Sequence, residues 1–386
     1  MQHLDGLEHL KGILRTKYDQ FASLILPLRT WLEGKGVRFV VSTTVTDIHL
    51  DIEGDWKTVT SLEILQGGTI GTVPVAATDL VYFTNGSMTQ NSTHGDNKRV
   101  ATVNGDLDKR GAFTVWEKLA KVSPVFGRPE KFISTPDKSH FVSFTVTIHD
   151  YPELFRYLEQ KTDGVIGSAG AVTLVDSPWF ISFNTPPQPC FKGQPADVEV
   201  FWGYGLHANN LGDYVKKPMT DCTGEEILQE FLYQLGFLDR YEAMLPKTRI
   251  ITSMLPYITS QFMPRGLNDR PQVIPEGCTN LAFIGQFVEL EGDVVFTVET
   301  SVRTAMIAVY RTLHLDKLIT PLFEGQYDLR IIVANVKKML GVEAVGVSDL
   351  LHVNPFELPK LLGRALDGIN TMPKMKDYYP EVEENR

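Results

Sequence analysis

Residues 78–86 read Thr78-Asp79-Leu80-Val81-Tyr82-Phe83-Thr84-Asn85-Gly86, an apolar stretch that ends in glycine and predicts a β-strand. A second stretch of the same kind is Asn280-Leu281-Ala282-Phe283-Ile284-Gly285. In dinucleotide-binding sheets, ligands lie over the carboxyl ends of the strands, where glycine lets the backbone approach a phosphate or a ring. Two such strands suggest one cofactor, although an interior strand followed by a tight turn explains either strand taken alone.

The residues around these two strands predict further helices and strands. A helix is predicted over Tyr18 to Gly36, and strands are predicted over Val37–Val41, Thr44–Ile52 and Val59–Leu65. After the second glycine, a helix is predicted from one apolar stripe formed by Val298, Val302, Ala305, Met306, Val309 and Leu313. From about Asn104 to Met263 the composition changes to aromatic-rich strands, helices and proline-rich loops, which favours a separate lobe.

Composition limits the classes of function. The chain has 386 residues and a net charge of −10, and 43% of its residues are apolar, as in ordinary globular proteins of two or three domains. The acidic balance argues against nucleic acid as a partner. No apolar run is long enough for a membrane span, and the first residues lack the order of a secretory signal, so the interpretation is a cytoplasmic protein. Three widely separated cysteines predict no disulfide framework.

Several common catalytic patterns are absent from the sequence. The glycines at 164–170 have the wrong spacing for a dinucleotide fingerprint, and Gly203-Tyr204-Gly205 lacks its third glycine. The segment Ile166-Gly167-Ser168-Ala169-Gly170 is not the nucleophile elbow of a serine hydrolase. Histidines do not occur at metal-ligand spacing, so no metal site is predicted.

Other groups allow two interpretations each. Glu289, Glu291 and Asp293 are read as loop residues near a cofactor or as acid/base carboxylates. Arg265 and Arg270 are read as anchors for a carboxylate or phosphate, or as members of surface ion pairs. Seven aromatic residues are interpreted as the lining of a tunnel for an acyl chain or as part of the hydrophobic core: Trp179, Phe180, Phe183, Phe191, Phe201, Trp202 and Tyr204.

Long runs of the chain resemble a known family. They are Ile13–Tyr18, Leu26–Leu28, Trp31–Val37, Thr84–Thr89, Thr259–Arg265, and Asp269–Pro271 through Ile284–Glu289 and Asp293–Glu299 to Ser301–Met306. Together they resemble the fatty-acid hydratases, called oleate hydratases or myosin-cross-reactive antigens, over nearly the whole chain. The resemblance implies an FAD-containing enzyme that adds water across the cis double bond of oleate or a related unsaturated fatty acid, without net redox change.

The resemblance also implies a fold and a set of site residues. The expected fold is α/β, with an incomplete Rossmann-like FAD domain over 1–103 and 271–316. It is interrupted by an α+β substrate lobe over 104–270 and followed by a helical segment over 317–386. Cofactor contacts are predicted at Thr84, Asn85, Gly86, Ser87, Gly285, Gln286, Phe287, Val288, Glu289, Phe296, Thr297 and Glu299.

Two departures from the family pattern concern catalysis. Family members carry a glycine-rich FAD motif and a catalytic glutamate before the region that matches Met1, so the chain is expected to be the carboxyl-terminal portion of such an enzyme. The family's catalytic tyrosine is placed beside Gly95 and Asp96, where this sequence has His94. His94 is therefore the catalytic prediction, with a solvated loop histidine as the alternative.

The remaining expectations concern partners and rival functions. Residues 355–376 predict a short amphipathic helix with four basic and two acidic residues, suited to peripheral membrane contact, to docking on the protein or to a homodimer. The alternatives to hydration are a non-catalytic remnant that binds lipid or membrane, and a redox flavoenzyme that acts on fatty acids.

Overall fold

The computed structural model describes residues 16–103, 111–162, 171–290, 292 and 298–322. The described part combines helices with strands, which confirms the α/β class. The strands are β1 (Thr43–Glu53), β2 (Trp56–Gln66), β3 (Thr69–Pro74), β4 (Val81–Thr84), β5 (Thr93–Gly95), β6 (Phe141–His149), β7 (Val172–Leu174), β8 (Ile181–Asn184), β9 (Val198–Gly205), β10 (Thr248–Leu255) and β11 (Leu281–Ile284). The α-helices are α1 (Leu26–Glu33), α2 (Ala112–Val122), α3 (Glu130–Ile133), α4 (Pro136–Ser139), α5 (Glu153–Thr162), α6 (Gly224–Leu235), α7 (Tyr241–Met244) and α8 (Val298–Thr312).

The strands form three sheets. β1, β2 and β3 make an antiparallel meander, and β4 and β11 make a parallel pair. The third sheet has six strands in the order β5-β10-β6-β9-β8-β7, and all its pairings are antiparallel. β5, which carries His94, is therefore an edge strand of the six-stranded sheet, although it lies before the predicted boundary at residue 103.

Each of two hydrophobic cores is built around aromatic side chains. The core beside the six-stranded sheet contains Phe144, Trp179, Phe183, Phe201 and Phe231. The core beside β4 and β11 contains Phe113, Trp116, Phe126, Phe132, Phe283 and Phe287. Trp179, Phe183 and Phe201, three of the candidate tunnel aromatics, are almost fully buried, whereas Phe191 and Trp202 are exposed. Burial of the first three favours the core interpretation for them.

The predicted amino-terminal helix forms, but the strand after it does not. A π-helical turn, Phe21–Ile25, runs directly into α1. Val37–Val41 has no strand assignment, and Val40 and Val41 are 66% and 65% exposed. The strand prediction was therefore wrong. An apolar run becomes a strand only where a neighbour completes its hydrogen bonds, and these residues pair with no strand in the described part of the chain.

The predicted helix after the second glycine forms as α8, but with a different buried face. Thr300, Thr304 and Ala308 are buried, while Val298 and Val302 of the apolar stripe are more than half exposed. The hydroxyl of Thr304 accepts a hydrogen bond from the Gly285 backbone N–H at 2.9 Å. Because this bond and small side chains bring the helix close to β11, the threonine face packs inward. None of the described helices is long and apolar enough to cross a bilayer.

Asn280 ties β11 to the three-stranded meander. Its side-chain Oδ1 accepts from the Val59 backbone N–H at 2.8 Å, and its Nδ2 donates to the Val59 carbonyl at 3.0 Å. The side chain is 2% exposed, so both bonds are shielded from water. This amide acts as one extra rung between β11 and the meander, at the end of β11 that lies away from the predicted cofactor loop.

Candidate functional site

The parallel pair brings the two predicted glycine-ended segments together. β4 and β11 pair residue for residue along their whole length. Since both strands run in the same direction, the loops after Thr84 and Ile284 start at one edge. Nδ2 of Asn85 donates to the Phe287 carbonyl at 2.9 Å, which ties the two loops directly. The structure therefore brings both predicted cofactor segments to one edge of the parallel pair.

Asn85 carries a buried acceptor without a partner. The side chain is fully buried, and Nδ2 is used by Phe287. Oδ1 has no hydrogen-bond partner among the described residues. Leaving such an acceptor unpaired costs about 1 to 3 kcal/mol of stability. A hydrogen-bond donor from a molecule bound at this edge would remove that cost.

Gly285 and Gly86 are glycine for different structural reasons. Gly285 has φ of +106°, a conformation that side-chain-bearing residues rarely adopt, and a Cβ there would lie 3.2 Å from Thr84 Cγ2. At Gly86, by contrast, a Cβ would overlap the Phe113 ring. Gly285 therefore shapes the backbone of the loop, whereas Gly86 makes room for an aromatic side chain of the adjoining core.

The other predicted cofactor residues of the two loops fall into two classes. Thr84 is exposed, and Ser87 and Gln286 are half-buried, so their side chains line the edge. Phe287 and Val288 are fully buried. The Phe287 ring packs on other aromatic rings, with centroids 5.1 Å away at Phe113, 5.7 Å at Phe132 and 6.1 Å at Trp116. Only the backbone groups of Phe287 and Val288 are therefore suited to meet a ligand.

Glu289 is held in an ion pair. Its carboxylate accepts two hydrogen bonds from the Arg265 guanidinium, at 2.5 and 3.1 Å, and its backbone N–H donates to the Pro271 carbonyl at 2.8 Å. Glu289 is only 7% exposed. This two-point contact fixes the end of the loop and favours the loop interpretation over an acid/base role. Glu291 and Asp293 lie outside the described residues.

Three further cofactor contacts were predicted at the start of α8. Phe296 and Thr297 fall outside the described residues. Glu299 is exposed, and its carboxylate pairs with the Arg303 guanidinium at 3.0 Å, one helical turn further on. An acidic residue in the first turn of a helix is stabilised by the helix dipole, so a structural reason accounts for Glu299 without a ligand.

His94 lines an open pocket of about 410 Å³. Its ring Nδ1 lies 2.9 Å from Ser253 Oγ on β10. The pocket is lined by Ser87, Thr89, Gln90, Asn91, Ser92, His94 and Leu255. The structure thus brings His94 together with Ser87, whereas residues 285–289 do not line this pocket.

Asp96 lies two residues beyond His94. The pKa of its carboxyl is held below the usual value, first because the Lys98 backbone N–H donates to it and next because the Arg99 side chain does. Both contacts engage oxygens of the carboxylate, at 2.9 Å for Lys98 and 2.7 Å for Arg99. Asp96 is therefore an ionised turn residue and a poor source of protons for the pocket.

The two arginines with alternative readings differ in environment. Arg265 is the partner of Glu289, described above. Arg270 is 2% exposed, donates to the Gln261 carbonyl at 2.6 Å, and lies over the Phe132 ring. Neither matches an ordinary surface ion pair, because one partner in each contact is buried. Within the described ranges, no three His, Cys, Asp or Glu side chains group closely enough to hold a metal ion.

Comparison of the sequence with known proteins identifies its family. The sequence model of the MCRA family matches residues 1–310. The chain belongs to the MCRA family. An oleate hydratase of Streptococcus pyogenes serotype M49 (strain NZ131) is 39% identical over 340 residues, which cover 86% of this chain and 57% of the relative. A linoleate hydratase of Lactiplantibacillus plantarum is 33% identical over 356 residues, which cover 86% of this chain and 62% of the relative. The chain therefore spans less than two thirds of the length of either relative.

Two site residues of this MCRA-family chain were not predicted from its sequence. Thr304 accepts from the Gly285 N–H, and Ser253 contacts His94. Both lie far from their partners along the chain. The local signal in the sequence was the alternation along β10, which turns Ser253 to the face opposite Thr252 and Met254.

Proposed function

We propose that this MCRA-family chain contributes to an FAD-dependent enzyme that hydrates oleate or a related unsaturated fatty acid. The observation that carries the proposal is the 39% identity to an oleate hydratase. A match over 86% of the chain necessarily includes residues 84–289, which contain the β4 and β11 loops and His94. The second relative, a linoleate hydratase, supports the same substrate class.

The cofactor proposal rests on the edge formed by β4 and β11. Asn85 Oδ1 offers a buried acceptor, and Gly285 gives the loop a backbone that only glycine adopts readily. These features fit a planar ring system with N–H donors, so FAD would be held by Thr84, Asn85, Ser87, Gly285 and Gln286. When bound, FAD would shape and charge the site for a reaction that has no net redox change.

His94 is the proposed proton-transfer group. Hydration adds a proton to one alkene carbon and the oxygen of water to the other, so water is the only co-reactant. The imidazolium form of His94 would give its proton to carbon, and the resulting imidazole would take a proton from water as the new carbon–oxygen bond forms. The cycle returns His94 to its starting form, and no electrons are gained or lost.

The same proposal assigns a role to each segment of the chain. Residues 1–103 and 271–316 would form the FAD-binding part of a Rossmann-like domain, and residues 104–270 would form the substrate lobe. Within the segment 317–386, residues 355–376 would contact a membrane or a second subunit. They lie outside the described residues, so this proposal rests on their sequence alone.

The direct test is flavin titration of the purified chain followed by incubation with oleate or linoleate at saturating FAD. The expected result is saturable quenching of flavin fluorescence and a product heavier than the substrate by one molecule of water, detected by mass spectrometry. Turnover accompanied by flavin reduction would favour a redox enzyme instead. Absence of both binding and product would contradict the proposal for this chain.

Asn85 provides a sharper test of the cofactor site. Asn85→Ala removes the free acceptor and also the Nδ2 bond to the Phe287 carbonyl, so the dissociation constant for FAD is expected to rise about tenfold or more. The matched control is Asn280→Ala, which also removes a buried amide but at the other end of β11. Fluorescence titration of both variants should show weakened binding in Asn85→Ala alone. Equal affinities would remove Asn85 from the site.

A further inference from the structure

Ser253 and His94 face each other across two hydrogen-bonded strands. They are directly opposite in the register of β5 and β10, where side chains on one face lie close together. β10 is also paired on its other side with β6, along its whole length. The serine hydroxyl therefore stands on an interior strand, a more rigid support than the short edge strand that carries the histidine.

The contact uses one particular nitrogen of the ring. Nδ1 of His94 lies 2.9 Å from Ser253 Oγ, which leaves Nε2 as the nitrogen able to meet a molecule in the pocket. The partner of one imidazole nitrogen decides which nitrogen of the neutral ring carries the proton. A hydroxyl can accept from Nδ1–H or donate to a bare Nδ1.

We propose that Ser253 is a positioning residue for His94, whose hydroxyl oxygen accepts a hydrogen bond from Nδ1–H. This inference rests on the proposed role of His94 in hydration. In the imidazolium form both nitrogens carry protons, and Nδ1–H donates to Ser253. After Nε2 has given up its proton, the same bond keeps the remaining proton on Nδ1. Nε2 is then a bare acceptor for a proton of water.

The opposite tautomer would interrupt the cycle. If Ser253 donated to Nδ1, neutral His94 would carry its proton on Nε2 and present a donor to water. The ring would then need to lose and regain protons at different atoms in one turnover. A serine that accepts from Nδ1–H avoids this exchange, so proton transfer in both directions takes place at Nε2.

The test combines nitrogen NMR with kinetics on the full chain. Histidine is labelled with ¹⁵N, and the His94 signals are assigned by their loss in His94→Gln. We expect neutral His94 to carry its proton on Nδ1 in the unmodified chain. In Ser253→Ala this preference should disappear, and kcat should fall about fivefold, as for one lost hydrogen bond, with little change in KM. Ser253→Thr, which keeps the hydroxyl, should retain both properties.

Ser143→Ala is the matched control, because Ser143 lies opposite Ser253 on β6 of the same sheet. It should alter neither the tautomer nor kcat. A proton on Nε2 of neutral His94 in the unmodified chain would overturn the inference. So would an unchanged tautomer in Ser253→Ala. The NMR result does not depend on turnover, so an inactive chain would refute the proposed function while NMR still decides whether Ser253 accepts from Nδ1–H of His94.

Discussion

His94→Ala is expected to lower the rate of hydroxy fatty acid formation by about two orders of magnitude, the usual contribution of one general acid or base. The side chain is exposed and has one described hydrogen bond, to Ser253, so its removal should leave the thermal unfolding midpoint almost unchanged. The measurement is the initial rate of product formation at saturating oleate and FAD, with thermal unfolding followed by circular dichroism on the same preparation.

The control for this prediction is His49→Ala. His49 is also an exposed histidine on a strand, but it lies on β1 of the separate three-stranded meander. Its replacement should change neither rate nor stability. His94→Tyr adds a second comparison, because it introduces the residue type that the family resemblance implies, and it should retain more activity than His94→Ala. Full activity in His94→Ala would exclude the residue from proton transfer.

Local sequence patterns predicted those elements whose signals do not depend on distant residues. The alternation in β1 and β2, the apolar runs of β4 and β11, and the spacing in α8 are of this kind. Val37–Val41 has an equally apolar pattern and is no strand, because a strand also needs a neighbour that no local pattern supplies. The buried face of α8 was missed for a related reason, since the Gly285 N–H that donates to the Thr304 hydroxyl lies outside the helix and its spacing pattern.

For the candidate site, the sequence indicated a region and not a set of contacts. Glycine after an apolar strand drew attention to both loops, and at Gly285 the backbone does need a conformation that glycine adopts readily. Which side chains face a ligand depends on tertiary packing, which buries Phe287 and Val288 and pairs Glu289 with Arg265. The contact between His94 and Ser253 joins two strands far apart in the chain, and no spacing rule could have indicated it.

Arg265→Ala is expected to lower the free energy of unfolding by about 3 kcal/mol, because it leaves the Glu289 carboxylate nearly buried without its partner. The loop after Gly285 should loosen with it, so FAD affinity should also decrease. The measurements are denaturant unfolding and flavin titration. Arg265→Lys keeps the charge but not the two-point contact. Its free energy of unfolding and its FAD affinity should therefore lie between those of the unmodified chain and of Arg265→Ala.

A surface pair provides the matched control. Arg29 and Glu33 are 2.8 Å apart on α1, and their side chains are 43% and 46% exposed. Exposed pairs of this kind contribute about 0.5 kcal/mol, so Arg29→Ala should be nearly neutral. Replacing both Arg265 and Glu289 with Met should restore most of the lost stability, since the cost in Arg265→Ala comes from an uncompensated buried charge. Equal losses in Arg265→Ala and Arg29→Ala would mean that the Glu289 carboxylate reaches water, and the ion pair would then not be what holds the cofactor loop in place.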